Sequence, residues 1–309
     1  MKRYIFTRIL LGILVVFIIA TVTFFLMRAI PGGPFSAEKK VPEAIKKNLE
    51  AKYKLDQPVW RQYLDYMSNV IRGDFGPSFK YKGRTVNDFI LEGFPISAVL
   101  GCISIFISIG IGIIIGIVSA LNQNKWLDYV TMFFAILGVS IPSFIIASIL
   151  MYVFAFKLRW LPPAMWGKPS QAILPAISLS GFSTAFFARM MRSSMLEVLQ
   201  QDYIRTARAK GLPEYLVICR HAVKNGLIPV ITYLGPLIAG ILTGSFVVEN
   251  IFAIPGLGKY YVSSITNRDY TTILGVTIFY SVLLVSMNIL VDIAYAIVDP
   301  RIKLVDKKE

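Results

Sequence analysis

Long stretches without a charged side chain determine what this sequence can fold into. Six of them are long enough to cross a bilayer as a helix, because about 20 residues with a rise of about 1.5 Å each span roughly 30 Å of hydrocarbon. They cover residues 9–27, 96–121, 129–156, 172–188, 227–248 and 271–291, and we expect the last helix to continue to residue 298. Only 16% of the residues are charged, compared with about 25% in soluble domains. The sequence therefore predicts an all-α polytopic membrane protein with six transmembrane helices.

The basic residues are distributed as in a multi-pass membrane protein. The formal net charge is +14, but these residues lie between the apolar stretches, which argues against nucleic-acid binding. With the N-terminus in the cytoplasm, the short cytoplasmic segments carry fifteen Lys and Arg residues and the short outer loops carry five. Cytoplasmic loops of membrane proteins are enriched in these residues. The sequence therefore predicts that both termini are cytoplasmic and that the first apolar stretch is retained as an anchor.

The apolar stretches divide the chain into four parts. Residues 1–30 are predicted to form an N-terminal transmembrane helix, and residues 31–95 an extracytoplasmic lobe that contains short helices starting near prolines. Residues 96–300 are predicted to form a five-helix core with a basic cytoplasmic segment at 189–225, and residues 301–309 a cytoplasmic tail. This organisation predicts a membrane body with one water-exposed lobe and one long cytoplasmic connection.

Glycine and proline residues within the apolar stretches predict local features of the helices. Gly112 and Gly116, like Gly240 and Gly244, are four residues apart, a spacing that lets helix backbones approach closely in lipid. Pro142 should kink the third predicted span, because proline removes a backbone hydrogen bond and its ring clashes with the preceding turn.

Groups that support catalysis are scarce in this sequence. His221 is the only histidine, which excludes a site with several histidine ligands, such as that of an intramembrane zinc protease. The turn that contains Gly258 and Lys259 lacks the first glycine of a phosphate loop and has Tyr260 in place of the Ser or Thr that holds magnesium. Asp292 is the exceptional ionisable residue inside a span, whereas proton- and ion-coupled carriers rely on such groups. We therefore predict no catalytic residue, no metal site and no ATP hydrolysis in this chain.

The predicted cytoplasmic segment at 189–225 contains the most informative local pattern. Residues 189–210 lack Gly and Pro and contain good helix formers, so we expect them to extend the fourth span. Gly211 should end that helix, and Pro213 should start a short one that runs to about His221. Residues 215–218 (YLVI) are apolar on nearly every side of that short helix, and such a helix must be buried. It would lie either against a second protein or in the lipid interface.

Several short motifs of this chain resemble those of one transporter family. They are residues 202–212 (DYIRTARAKGL), 244–249 (GSFVVE), 254–258 (IPGLG), 267–270 (NRDY), 299–303 (DPRIK), 73–76 (GDFG) and 141–144 (IPSF). Their sequence and order resemble the membrane subunits of ATP-binding-cassette (ABC) importers, in particular the oligopeptide, dipeptide and nickel permease family. The resemblance covers residues 2–304 and is closest to the B-type subunit of oligopeptide permeases. Arg205-Thr206-Ala207 occupies the place where the family's general motif has Glu-Ala-Ala, so the contacts of that glutamate are not transferred.

The resemblance implies a type I ABC importer permease fold in the bacterial cell membrane. It implies a permease subunit that forms half of a translocation pathway for oligopeptides, with a dipeptide or a nickel or other metal chelate as the alternative substrate. The implied partners are a second homologous permease subunit, two cytoplasmic ABC ATPase subunits and an extracytoplasmic substrate-binding protein. The chain itself would be neither an enzyme nor a cofactor carrier, because ATP and magnesium would bind to the ATPase subunits.

The resemblance also implies which residues contact the ATPase. These residues lie in and after the 202–212 motif: Arg205, Thr206, Ala207, Lys210, Gly211, Leu212, Pro213, Glu214, Tyr215 and Leu216. Weaker candidates for lining the pathway are Ser245, Glu249 and Asn250, at the outer end of the fifth predicted span. Two other classes of function remain as remote alternatives, namely a stand-alone secondary transporter and an intramembrane enzyme. Transport or hydrolysis by the isolated chain would distinguish them.

Overall fold

The computed structural model describes residues 2–31, 33–34, 48, 51–242 and 246–298. The described part of the chain is helical, and its only pairing of strand type is an isolated bridge between Pro77 and Thr85. The helices are α1 (Lys2–Ala29), α2 (Val59–Ile71), α3 (Val86–Leu121), α4 (Trp126–Ser140), α5 (Ser143–Leu150, followed by a π-helix at Met151–Lys157), α6 (Pro169–Leu199), α7 (Asp202–Ala209), α8 (Glu214–Leu216, followed by a π-helix at Val217–Ala222 and by Val223–Gly226), α9 (Ile228–Leu242), α10 (Phe246–Ile251), α11 (Leu257–Asn267) and α12 (Tyr270–Val298).

Within the described residues, four helices are long and apolar enough to cross a membrane: Ile5–Ala29 of α1, α3, α6 and Tyr270–Leu290 of α12. The bent pair of α4 and α5 makes a fifth if it counts as one span. The remaining predicted span, at 227–248, contains the 15-residue helix α9 and three residues outside the described part of the chain. The all-α membrane fold is therefore confirmed, whereas the number of six spans and the side on which each terminus lies stay predictions.

Pro142 causes a sharp break in the third predicted span. The axes before and after it, Trp126–Ser140 and Ser143–Lys157, differ in direction by 109°. Ile141 has φ −91° and ψ 122°, an extended conformation, because the ring of a proline disfavours the helical region for the preceding residue. The predicted kink is confirmed, but it is a complete interruption of the helix rather than a bend within it.

The chain folds as two compact units. Of the described residues, the first unit contains those within 2–97 and 255–289, and the second contains those within 98–254 and 290–298. In the second unit, α6 is the central helix and packs against α4, α5, α9 and α10. The inner face of α6 includes Phe187, Met191 and Met195, all of which are completely buried. The second unit is therefore built around one long helix that continues into the 189–225 segment.

Two glycines in α3 allow it to lie directly on α6. A Cβ atom on Gly112 would stand 2.8 Å from the Cβ of Phe187, and one on Gly116 would stand 2.6 Å from the Cβ of Met191. Real side chains do not approach so closely, so a larger residue would push the two helices apart. The close approach expected at this pair is confirmed. Gly240 has no atom within 4 Å of its Cβ position, and Gly244 lies outside the described residues.

A buried carboxylate organises the first unit. Asp269 is completely buried and accepts hydrogen bonds from the hydroxyl of Ser78, the N–H of Phe79 (3.1 Å) and the hydroxyls of Thr271 (3.0 Å) and Thr272 (2.8 Å). A buried charge is tolerated when it is hydrogen-bonded in this way, and the positive end of α12 also favours it. Asp269 belongs to the 267–270 motif. Its bonds attach the loop before α3 to the start of α12.

Candidate functional site

The 189–225 segment contains a break that the sequence did not predict. Helix α6 ends at Leu199, and Gln201 adopts an extended conformation (φ −70°, ψ 147°) before α7 begins at Asp202. The turn places Ile204 and Ala207 in the interior, with 0% and 6% of their surface exposed. The expectation of one helix over 189–210 is therefore wrong. Neither glutamine breaks a helix by itself, so the burial of α7's apolar side accounts for the turn.

Gly211 ends α7, as predicted. Its φ is +77°, a left-handed conformation that glycine adopts without steric cost. The N–H of Gly211 donates to the carbonyl of Arg208 (2.9 Å), and the N–H of Leu212 donates to that of Ala207 (3.4 Å). Pro213 follows in an extended conformation (φ −65°, ψ 142°) and precedes α8. The chain therefore reverses at residues 208–214, which we call the elbow.

An ion pair closes the elbow. Arg208 donates two hydrogen bonds to the carboxylate of Glu214, from Nη2 to Oε1 (2.6 Å) and from Nε to Oε2 (3.1 Å). The hydrogen bonds and charge of Arg208 lower the pKa of Glu214 below its ordinary value. A second contact lies further along, where Asn225 donates to the hydroxyl of Tyr203 (2.8 Å). The Arg208–Glu214 bonds hold α7 and α8 together beside the turn, and the Asn225–Tyr203 bond holds them together at their far ends.

Helix α8 buries one side and exposes the other. It is longer than predicted, since it runs through a π-helical turn to Gly226 rather than ending near His221. Val217 and Ala222 are completely buried, and a Cβ on Gly226 would meet the sulfur of Met195 at 2.9 Å. The opposite side carries Tyr215, which is 66% exposed. The sequence predicted that the apolar residues of α8 are buried. Packing against α6 buries them on one side of the helix only.

The exposed half forms an apolar patch on the elbow. Leu212 and Tyr215 are both exposed, and Leu216 is half-buried. Around them, four basic side chains are exposed to solvent: Arg205, Lys210, Arg220 and Lys224. We call Leu212, Tyr215 and Leu216 the apolar face of the elbow. A large aromatic residue within a basic surface is a composition that recurs at protein interfaces.

The structure brings most of the predicted ATPase-contacting residues to this surface. Those exposed together with the apolar face are Arg205, Thr206, Lys210, Gly211, Pro213 and Glu214. Ala207 is the exception, because it packs inside the chain. Of the pathway candidates, Glu249 is completely buried and Asn250 is exposed, whereas Ser245 lies outside the described residues.

A buried ion pair between the 189–225 segment and the start of α4 was not predicted. Asp128 is 3% exposed. Its carboxylate accepts two hydrogen bonds of 2.7 Å from Arg192, and others from the Ser119 hydroxyl and the Asn124 N–H. The pair joins the start of α4 and the end of α3 to α6. Asp128 lies one residue outside an apolar stretch and 64 residues from Arg192, so no local pattern relates them.

An open groove of about 510 Å³ follows α6 toward the elbow. Its polar lining includes Arg189, Ser193 and Glu197, and Phe186 contributes an aromatic wall. Phe186 stacks on Tyr233 of α9 at a centroid distance of 4.2 Å. The groove thus has a cation and a carboxylate eight residues apart on one helix, a separation of about 12 Å.

Comparisons with known proteins agree on one family. Residues 112–304 match the model described as "Binding-protein-dependent transport system inner membrane component", and residues 1–101 match its N-terminal counterpart. The chain is 51% identical over 304 residues to the dipeptide transport system permease protein DppB of Bacillus subtilis, covering 98% of this chain and 99% of that protein. It is 46% identical over 305 residues to the oligopeptide transport system permease protein OppB of Haemophilus influenzae, covering 98% and 100%.

A solved structure supports the same fold. The crystal structure of an amino acid ABC transporter with histidines superposes with a TM-score of 0.53, at 15% sequence identity, over 67% of this chain and 92% of that chain. At this low identity the similarity concerns the fold alone. The helices described above therefore adopt the architecture of an ABC transporter permease.

Proposed function

Because the chain belongs to the family of binding-protein-dependent transport system inner membrane components, we propose that it forms half of a translocation pathway for oligopeptides. The chain is a multi-pass protein of the bacterial cell membrane and a permease subunit of an ABC importer. The family is a membrane component of such importers and is not itself an enzyme, since ATP hydrolysis occurs on separate subunits. Family members carry no cofactor.

Peptides are the substrate class that the relatives support. The relatives are named as dipeptide and oligopeptide permeases, with identities of 51% and 46% over nearly the whole chain. We propose oligopeptides as the substrate, as the motifs imply. The dipeptide alternative is favoured by the higher identity to DppB. Nickel or another metal chelate has less support, because no group of three or more His, Cys, Asp or Glu side chains that could hold a metal occurs in the described residues.

The importer needs partners that this chain does not supply. We propose that it assembles with a second homologous permease subunit, two cytoplasmic ABC ATPase subunits and an extracytoplasmic substrate-binding protein, within the lipid bilayer and without nucleic acid. ATP and magnesium would bind to the ATPase subunits. The sequence supports this division, because it lacks a complete phosphate loop.

The observation that carries the coupling role is the exposed apolar face on a closed elbow. Tyr215 is 66% exposed although residues 217 and 222 of the same helix are completely buried. The Arg208–Glu214 pair and the left-handed Gly211 hold this face in one geometry. A preformed surface loses little conformational entropy when it binds. We propose that Leu212, Tyr215 and Leu216 fit into a groove on the ATPase, with Arg205, Thr206, Lys210, Pro213 and Glu214 around them and Ala207 supporting them from inside.

The groove along α6 is a further candidate for the substrate path, beside Ser245, Glu249 and Asn250. A short peptide carries an ammonium at one end and a carboxylate at the other. An extended chain rises about 3.3 Å per residue, so three to four residues span the separation of Arg189 and Glu197. Charge complementarity therefore supports the groove as a surface for a peptide of this length.

A comparison of the uptake of peptides of different length tests the substrate class directly. The complete transporter should be reconstituted in liposomes with its binding protein, and ATP-dependent uptake of labelled dipeptides and of peptides of three to five residues should be compared. We expect uptake of the longer peptides at the higher kcat/KM. A preference for dipeptides would select the alternative substrate, and uptake of neither class would contradict a peptide importer.

A further inference from the structure

A half-open cavity of about 240 Å³ lies in the first unit. Its walls come from the last turns of α1, from α2, from the loop before α3 and from the first turns of α12. Both α1 and α12 are long and apolar enough to span the membrane, and Arg28 and Tyr270 lie at the ends of those spans. The cavity is therefore at the depth of the bilayer where lipid head groups begin.

Three residues that line this cavity each have a buried polar atom without a hydrogen-bond partner among the described residues. These atoms are the hydroxyls of Tyr66 and Tyr270 and the Oε1 atom of Gln62. Tyr270 is only 4% exposed, so water outside the protein does not reach its hydroxyl. Burial also raises the pKa of Tyr66, so this hydroxyl stays protonated and able to donate. Native proteins pair most buried polar groups, and three unpaired ones around one cavity indicate a missing occupant.

The charges on the cavity wall indicate that this occupant is an anion. Lys54 is paired with Asp65 at 3.7 Å. The other two cations, Arg28 and Lys52, have no carboxylate partner in the described residues. The guanidinium of Arg28 lies 5.0 Å from the centre of the Phe24 ring, and the ammonium of Lys52 lies 5.7 Å from that of Tyr53. Two cations and two hydroxyl donors are the groups that recognise a phosphate.

The apolar surface beside the cavity favours a lipid as the source of that phosphate. Phe24 and Leu274 form a buried apolar wall, and Phe25 and Leu26 on the same turn of α1 are 47% and 57% exposed. We propose that the cavity binds the phosphate of an anionic phospholipid. Arg28 and Lys52 neutralise its charge, and the hydroxyls of Tyr66 and Tyr270 donate hydrogen bonds to its oxygens. Its acyl chains lie along the exposed side of α1.

Retention of lipid by the purified complete transporter tests this site. Native mass spectrometry should compare phosphatidylglycerol with phosphatidylcholine for the wild type, Arg28→Gln and Tyr270→Phe. Arg61→Gln, which removes an exposed cation from α2, and Tyr81→Phe, which removes a hydroxyl away from the cavity, are the matched controls. We expect the wild type and both controls to retain phosphatidylglycerol preferentially, and the two cavity variants to bind it about tenfold more weakly. Equal retention by all five proteins would overturn the proposal.

Thermal melting gives a second readout that is independent of expression level. In detergent without lipid, Tyr270→Phe should melt at a higher Tm than the wild type, because it removes a buried hydroxyl that has no partner. Added phosphatidylglycerol should raise the Tm of the wild type more than that of Tyr270→Phe. An equal rise with inorganic phosphate alone would keep the anion site and assign it to free phosphate. No change with either compound would mean that the cavity holds water only, and the proposal would be wrong.

Discussion

Gly211 has a φ of +77°, and no atom lies within 4 Å of the position where its Cβ would stand. Space is therefore available for a side chain, and the backbone conformation is the sole constraint. Asparagine tolerates this left-handed region, whereas β-branched residues rarely adopt it. Since the elbow reverses at this residue, its conformation determines the position of Leu212 and Tyr215.

Two substitutions at Gly211 separate conformation from side-chain volume. We expect Gly211→Val to strain the elbow by about 1–3 kcal/mol and to reduce ATP-driven uptake severalfold. Gly211→Asn should keep most of the uptake, because asparagine is similar in size to valine but tolerates the left-handed φ of this position. Uptake in proteoliposomes that contain equal amounts of assembled transporter measures the difference. Equal uptake by both variants would show that the left-handed conformation does not matter.

At the scale of helices, the second unit depends on how closely α3 approaches α6. Gly116 and Gly110 lie on the same helix and differ in surroundings. A Cβ on Gly116 would stand 2.6 Å from the Cβ of Met191 and 2.7 Å from the carbonyl oxygen of Ala188, whereas a Cβ on Gly110 would meet nothing within 4 Å. The backbone oxygen cannot move aside alone, so a methyl group at Gly116 must separate the helices.

This difference predicts opposite effects from one substitution. We expect Gly116→Ala to lower the stability of the purified transporter by about 1–3 kcal/mol, the usual cost of overpacking. Gly110→Ala should have no cost or a small gain, because alanine favours helix more than glycine does. Thermal melting in the same detergent compares the two variants. A Tm for Gly116→Ala at or above that of Gly110→Ala would contradict the close contact.

The helical elements also show which features the sequence can predict. Pro142 and Gly211 interrupt helices through their own covalent structure, and the spacing of Gly112 and Gly116 defines a contact surface on a single helix, so these features could be predicted. The turn at Gln201 could not, because it depends on the burial of Ile204 by distant parts of the chain. The same holds for the length of α8 and for its buried side, since both depend on packing against α6.

An ion pair between residues far apart in the sequence could likewise not be predicted from a local sequence pattern. Asp128 and Arg192 are 64 residues apart and form a bidentate ion pair. In the sequence, Asp128 is simply an acidic residue at the edge of an apolar stretch. Of the candidate site, the elbow and its exposed residues were predicted through the 202–212 motif. The burial of Ala207 and Glu249 was not, because motif positions do not state which side of a helix faces the interior.

For the whole molecule, the orientation in the membrane is a prediction that can be measured. The fifteen Lys and Arg residues of the cytoplasmic segments and the five of the short outer loops predict an orientation with residue 82 outside and residue 210 inside. After Cys102→Ser and Cys219→Ser remove the native thiols, Lys82→Cys should react with a membrane-impermeant maleimide in intact cells. Lys210→Cys should react only after the membrane is opened. Labelling of position 210 in intact cells would contradict cytoplasmic termini.

The most direct test of the coupling role is the attachment of the ATPase subunits to the elbow. Tyr215→Asp places a charge on the apolar face without altering the buried side of α8, and an unpaired charge in a contact is costly. Gln123→Asp introduces the same side chain at an exposed position in the turn between α3 and α4, outside the elbow. The amount of ATPase that co-purifies with each variant, measured together with ATP-driven peptide uptake, distinguishes the outcomes. We predict at least about a tenfold loss of bound ATPase and of uptake for Tyr215→Asp, with near-normal values for Gln123→Asp. Normal attachment and uptake in Tyr215→Asp would contradict a role of the elbow in coupling.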